Sequence, residues 1–294
     1  MDLPDPIADI GNQLAAGGAV TPSPEFFEAY EVFSAELTHI FVRPWLAVDH
    51  HSRLGEDNSY FRFDIGSRSV VLARESAHCI HALRNACLHA GYRICEEEDG
   101  KGDHLFCNYH GWDYALDGRL TEPMLRPETE DRSRFRLPRY AMQIRRGLIF
   151  VDLSKAGPNP PEAGPLDLGM VPEDLGDRVV TRRQRYPTTW NWKTLRHFLW
   201  GAKELVFPDG ECEAVAEFGP LSFLATRGDA AVLARLVPRY PGHTDVELVR
   251  IGAAAKDGAA DRVGAAVREA GDAPPLGRGF YEWYWSNLPA PVDA

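Results

Sequence analysis

Cys107-Asn-Tyr-His110-Gly-Trp-Asp-Tyr-Ala-Leu-Asp-Gly118, with Cys87-Leu-His89 seventeen residues ahead of it, decides how this chain is read. Each short piece supplies one thiol and one imidazole. Four such side chains make a nitrogen and sulfur ligand set suited to a transition metal. A zinc site is the plain alternative, because zinc also takes two thiolates and two imidazoles. Zinc fingers, however, pair Cys with Cys and His with His along the chain, and here each half mixes the two.

The flanking residues carry the reading further. Gly111 and Trp112 follow His110, and Tyr114, Asp117 and Gly118 follow them. In this setting the motif resembles that of Rieske proteins. The resemblance implies a [2Fe–2S] cluster, with Cys87 and Cys107 on one iron and His89 and His110 on the other. Neutral imidazole carries less negative charge than thiolate, so such a cluster is easier to reduce. The two halves are expected as loops at the tips of neighbouring hairpins. Rieske proteins of respiratory complexes usually carry two more cysteines, and the corresponding places here hold Tyr92 and Tyr109. The pattern instead resembles the Rieske non-haem iron (aromatic-ring-hydroxylating) oxygenase α-subunit family. Ala90 is a departure, since that family has an Arg after the first histidine.

Trp190-Asn-Trp-Lys193 resembles the signature that opens the catalytic domain of those oxygenases. The resemblance implies a helix with two histidines five positions apart. With a distant carboxylate they hold a mononuclear Fe(II) and leave positions open for dioxygen and substrate. Here those places fall on Glu204 and Asp209, or on Leu205 and Gly210. His197 is the one histidine of the segment, and the next is His243. Gly201 or Ala202 stands where the family has an acidic residue linking cluster and iron across subunits. The catalytic-like part is also shorter than the family's. The expectation is a [2Fe–2S] cluster without the mononuclear iron. His197, Glu204 and Asp209 are the remaining catalytic candidates. A solvated charge is the commoner role for the two acids.

The chain has 294 residues and a net charge of −11, which argues against nonspecific nucleic-acid binding. Five cysteines are present. Cys79, Cys95 and Cys212 are expected as buried free thiols in a reducing cytoplasm. No apolar run reaches the length of a membrane span.

Along the chain, residues 1–22 are rich in Gly and Pro and are expected to be loose. Ser23-Pro24 reads as a helix start, with Phe26, Tyr30, Phe33, Leu37 and Ile40 at helical spacing. Phe61, Phe63 and Ile65 alternate with Arg62 and Asp64, as in a half-buried strand. Residues 69–72, 79–83 and 147–151 read likewise. The domains expected are a tail and helix at 1–42, an all-β cluster domain at 43–153, a linker at 154–176 and a degenerate catalytic-like domain at 177–294. In the last, residues 191–207 read as an amphipathic helix, and 221–226, 231–236 and 246–251 as strands. An Ala-rich helix is expected across 253–270, weakened by Gly258 and Gly264. The aromatic run Phe280-Tyr-Glu-Trp-Tyr-Trp285 is expected to pack a core. The fold class implied is α+β: a Rieske domain plus a truncated, START-like (SRPBCC-like) helix-on-antiparallel-sheet domain. His50, His51 and His104 show no ligand spacing, and Glu96–Asp99 reads as a solvated acidic loop.

These readings imply an oxidoreductase subunit that passes electrons to a partner oxygenase subunit. The implied partners are a ferredoxin or flavin reductase as donor and a complete paralogous α subunit as acceptor, within a ring-like oligomer. A self-sufficient oxygenase with a non-standard iron site is the alternative. A redox-sensing or structural subunit is another.

Overall fold

The computed structural model describes residues 3–42, 45–123, 134–159, 164–207, 211–253, 259–269 and 275–288. It divides into two compact units. Pro44–Leu168 with Pro172–Val179 form the first; Met1–Arg43, Gly169–Val171 and Val180–Ala294 form the second.

The first unit is built from β1 (Leu46–His50), β2 (Ser59–Ile65), β3 (Arg68–Ser76), β4 (Cys79–Arg84), β5 (Asp99–Lys101), β6 (His104–Cys107), β7 (Trp112–Ala115), β8 (Leu120–Pro123), β9 (Arg139–Arg145) and β10 (Leu148–Gly157). Seven strands form an antiparallel sheet in the order β1-β10-β9-β4-β3-β2-β5, and β6-β7-β8 form a second sheet. The alternation in β2 fixes its face: Phe61, Phe63 and Ile65 are buried, opposite Leu72, Val70 and Arg68. Each buried aromatic contributes about 1.5–3 kcal/mol. Trp112, Tyr114, Leu105 and Leu137 build the core beneath the cysteines.

The second unit contains α1 (Asp5–Ala16), α2 (Glu25–Glu28), α3 (Tyr30–His39), β11 (Val180–Thr188), α4 (Trp192–Gly201), β12 (Ala214–Phe218), β13 (Ser222–Arg227), β14 (Ala230–Tyr240), β15 (His243–Gly252), α5 (Ala259–Glu269) and α6 (Arg278–Ser286). Its sheet is antiparallel, ordered β11-β15-β14-β13-β12. Helix α4 packs on β14 and β15, and α5 on β11. Central β14 is buried from Ala231 to Pro238, so both its faces are covered. One all-β unit and one helix-on-sheet unit make the fold α+β.

Several local expectations need correction. Of the three further cysteines, Cys95 is buried as expected, but Cys79 is exposed at the start of β4 and Cys212 is half-buried. Residues 5–16 are helical, not loose. Ile7, Ile10 and Gly11 form its buried stripe. Gly11 lies against the Trp285 ring, and a Cβ there would overlap it. The Gly and Pro residues punctuate the helix, since Pro4 precedes it and Gly17 closes it in the left-handed conformation. The next helix is split, because Ala29 is extended (φ −73°, ψ 135°) between α2 and α3. Tyr30 faces solvent as a result. The helix expected to reach residue 207 ends at Gly201. Ala202 (φ −134°, ψ 50°) breaks it, and a 3₁₀ turn follows at Lys203–Val206. Strand β10 runs on into the proposed linker. There a 3₁₀ turn at Glu173–Asp177 is held by His50 Nε2 at Leu175 O (3.1 Å) and His51 Nε2 at Gly176 O (2.9 Å).

Candidate iron–sulfur centre

Two loops of the first unit bring the four sequence candidates together. One joins β4 to β5 and carries Cys87 and His89; the other joins β6 to β7 and carries His110, with Cys107 closing β6. Both make the same tight turn. Gly91 N donates to Cys87 O (2.8 Å) and Gly111 N to Cys107 O (3.0 Å). Both glycines have positive φ, 71° and 68°, a conformation that a side chain would strain.

The first loop is clamped by buried Asn85. Its Oδ1 accepts from Ile94 N (3.1 Å) and Cys95 N (2.9 Å). Its Nδ2 donates to Cys95 O (2.8 Å) and Ser69 Oγ (3.0 Å). Nothing in the local sequence marks this residue, because its partners lie up to sixteen positions away.

Within this frame the two thiols are buried and the two imidazoles reach the surface. His89 Nδ1 and His110 Nδ1 face each other at 3.0 Å. His89 stacks on Trp112 with ring centroids 5.1 Å apart. Cys87 Sγ lies 3.2 Å from Tyr114 Oη, which also accepts from Leu88 N (3.0 Å). Burial pushes the Tyr114 hydroxyl well above the usual tyrosine range, and Cys87 adds to this. Burial also raises the Cys107 thiol; the backbone N–H groups of Tyr109 and His110 oppose it, and neighbouring Cys87 reinforces it. Tyr92 and Tyr109, at the places of the respiratory-type cysteines, stack with centroids 4.8 Å apart.

This donor set fits a binuclear cluster. Two sulfurs lie together on the buried side, two imidazole nitrogens converge on the exposed side, and backbone N–H groups aim at sulfur. Among the described residues no three His, Cys, Asp or Glu side chains gather around one ion position. A binuclear cluster does not require that, because each iron takes only two protein ligands.

The second unit treats its candidates differently. His197 is half-buried on α4 and Glu204 is exposed on the following 3₁₀ turn. Asp209 lies outside the described residues. The signature residues before them have structural partners that sequence reading missed. Asn191 caps α4 by accepting from Lys193 N (2.9 Å), and its amide donates to Phe27 O (2.6 Å) and Pro241 O (2.5 Å). Lys193 Nζ, fully buried, donates to Glu36 Oε1 (2.6 Å). Tyr284 Oη donates to the same oxygen (2.9 Å) and Trp192 Nε1 to Glu36 Oε2 (2.6 Å). Burial pulls the Lys193 ammonium below the ordinary lysine range, against the pull of Glu36. Burial, and then Glu36, push the Tyr284 hydroxyl up.

Comparison with known proteins adds the family. Residues 44–139 match the Rieske [2Fe-2S] domain. The oxygenase subunit of glycine betaine monooxygenase from Chromohalobacter salexigens is 30% identical over 201 residues, 65% of this chain and 44% of that protein. The α subunit of N,N-dimethyl phenylurea N-demethylase from Sphingobium sp. is 28% identical over 57% of this chain and 39% of its own length.

The chain carries a Rieske [2Fe-2S] domain and is similar to Rieske oxygenase α subunits.

The match thus spans less than half the length of these curated Rieske oxygenase relatives. A solved structure of the quaternary ammonium Rieske monooxygenase CntA with gamma-butyrobetaine has a similar fold. Its TM-score is 0.67 at 15% identity, covering 97% of this chain and 99% of that one. No helix among the described residues is long and apolar enough to cross a membrane.

Proposed function

We propose that this chain is the electron-transferring subunit of a Rieske-type oxygenase and that its own mononuclear iron site has been lost. Cys87 and Cys107 would hold one iron of the [2Fe–2S] cluster, and His89 and His110 the other. When bound, such a cluster supplies one-electron transfer. The chain's own residues set the conditions for it. Asn85 and the two glycine turns hold the loops in place, Tyr114 and the Tyr109 and His110 N–H groups donate toward sulfur, and the exposed imidazoles form the side facing an acceptor. The acceptor proposed is a complete paralogous α subunit within a ring-like oligomer. The donor proposed is a ferredoxin or a flavin reductase, and the compartment a reducing cytoplasm.

One observation carries the loss of the iron: the only histidine of the segment after the Asn-Trp-Lys signature is His197. Relatives named for glycine betaine, quaternary ammonium compounds and a dimethyl phenylurea make alkylated nitrogen compounds the first substrates to test with an assembled partner. The purified chain with a reductase should accept electrons and form no product from such compounds. Product formed by the chain alone would favour the self-sufficient reading.

A further inference from the structure

The first unit holds a cavity of about 580 Å³ that the electron-transfer reading leaves unused. Its walls include Arg68, Arg84 and Arg93, with Ser69, Asn85 and Tyr140 beside them. Among the described residues no Asp or Glu lines it. In a chain of net charge −11, three guanidinium groups on one concave surface need an explanation. Their partners are few. Arg84 has no ion pair among the described residues. Among the described residues the Arg68 side chain donates only to the Leu153 carbonyl (3.3 Å). Arg93 lies 3.8 Å from Asp64, which Arg62 already pairs. Ser69 Oγ accepts from Asn85, which leaves its O–H free to donate.

We propose that this cavity binds a small, multiply charged oxyanion, a phosphate- or carboxylate-bearing molecule. A guanidinium offers a planar fork of donors that matches both groups. The serine hydroxyls and the Tyr140 wall add neutral donors and a flat surface. The volume lies in the range of small-molecule sites and exceeds what inorganic phosphate alone would fill. The site also reaches the redox centre. Asn85, in the cavity wall, is the residue that clamps the loop bearing Cys87 and His89. An anion held there adds negative charge near that loop and disfavours the extra electron, which lowers the midpoint potential. This second effect rests on the cluster assignment.

Isothermal titration of the full, cluster-loaded chain at fixed ionic strength tests it, with inorganic phosphate, pyrophosphate and citrate as probes. Fixed ionic strength removes diffuse surface binding from the signal. At least one probe should bind saturably at one site. Arg84→Gln and Arg93→Gln should each weaken it roughly tenfold or more, as expected for loss of a charged hydrogen bond. Both side chains are exposed, so the fold tolerates the changes. Arg183→Gln, on the surface of the other unit, should bind like the wild type. No saturable binding of any probe, or unchanged affinity in Arg84→Gln, would overturn the site. A bound anion that leaves the midpoint potential unmoved would overturn the coupling. Anion binding by a chain that carries no iron would overturn the cluster reading and leave this site standing.

Discussion

At the tip of the first unit, two imidazole nitrogens face each other at 3.0 Å above two buried thiols. At the start of α4 in the second unit, a buried lysine, a tryptophan N–H and a tyrosine hydroxyl all converge on the Glu36 carboxylate. Both places bury chemistry that water would otherwise satisfy, and they settle it in opposite ways. Around Glu36, three donors meet one acceptor group, and nothing is left to bind a ligand. At the tip, among the described residues, each imidazole Nδ1 has only the other. A satisfied network stiffens a fold; an unsatisfied set of metal-binding atoms is preorganised for something added later. The Asn-Trp-Lys signature therefore serves in the second unit as a structural clasp, while the thiols and imidazoles of the first unit stay grouped for the cluster proposed above.

The contrast can be broken most severely at the tip. Cys107→Ser should abolish the visible absorption and the bound iron. The second unit should keep its structure, as read by far-ultraviolet circular dichroism. At the clasp, Lys193→Ala strands the Glu36 carboxylate in a fully buried site and should cost about 3–5 kcal/mol of stability. Denaturant titration checks this, and iron content per folded chain should not change. A milder loss is expected for Asn191→Ala, about 1–2 kcal/mol for a missing helix cap, again without effect on iron.

The sheet of the second unit adds a pH test. Burial pushes the Glu247 carboxyl up, but Arg235 and Arg185 outweigh it and hold it at about 2. A carboxylate held below its unfolded value stabilises the fold above about pH 4.5, and this contribution fades as pH falls toward about 2. Acid unfolding in that window should be shallower in Glu247→Gln. The smallest effect is expected at the tip. Tyr114→Phe removes a donor to the Cys87 sulfur and should lower the midpoint potential by a few tens of millivolts, measured by voltammetry.

What could be read from sequence follows from how far each partner lies along the chain. Cys107 to Gly118 is a local run that holds half of the proposed ligand set and its turn glycine, and Cys87-Leu-His89 is a second local run with the other half. The strand β2 was legible for the same reason, since alternation needs only neighbours. Lys193 was visible as part of a signature, but its partner Glu36 is 157 positions away, and no local pattern announces a buried ion pair. Asn85 and the His50–His51 pair were opaque likewise, because they bind backbone carbonyls and N–H groups that any residue could supply. The N-terminal helix was hidden by its own boundaries: Pro4 and Gly17 read as disorder, and only the Ile7, Ile10 and Gly11 stripe betrayed the helix between them.

Iron and acid-labile sulfide per chain, measured on the wild type and on Cys107→Ser, probe the account most directly. Two irons and two sulfides are expected in the wild type, with neither retained in the variant. A third iron, still bound after Cys107→Ser has emptied the tip, would contradict the claim that this subunit relies on a neighbour for its chemistry.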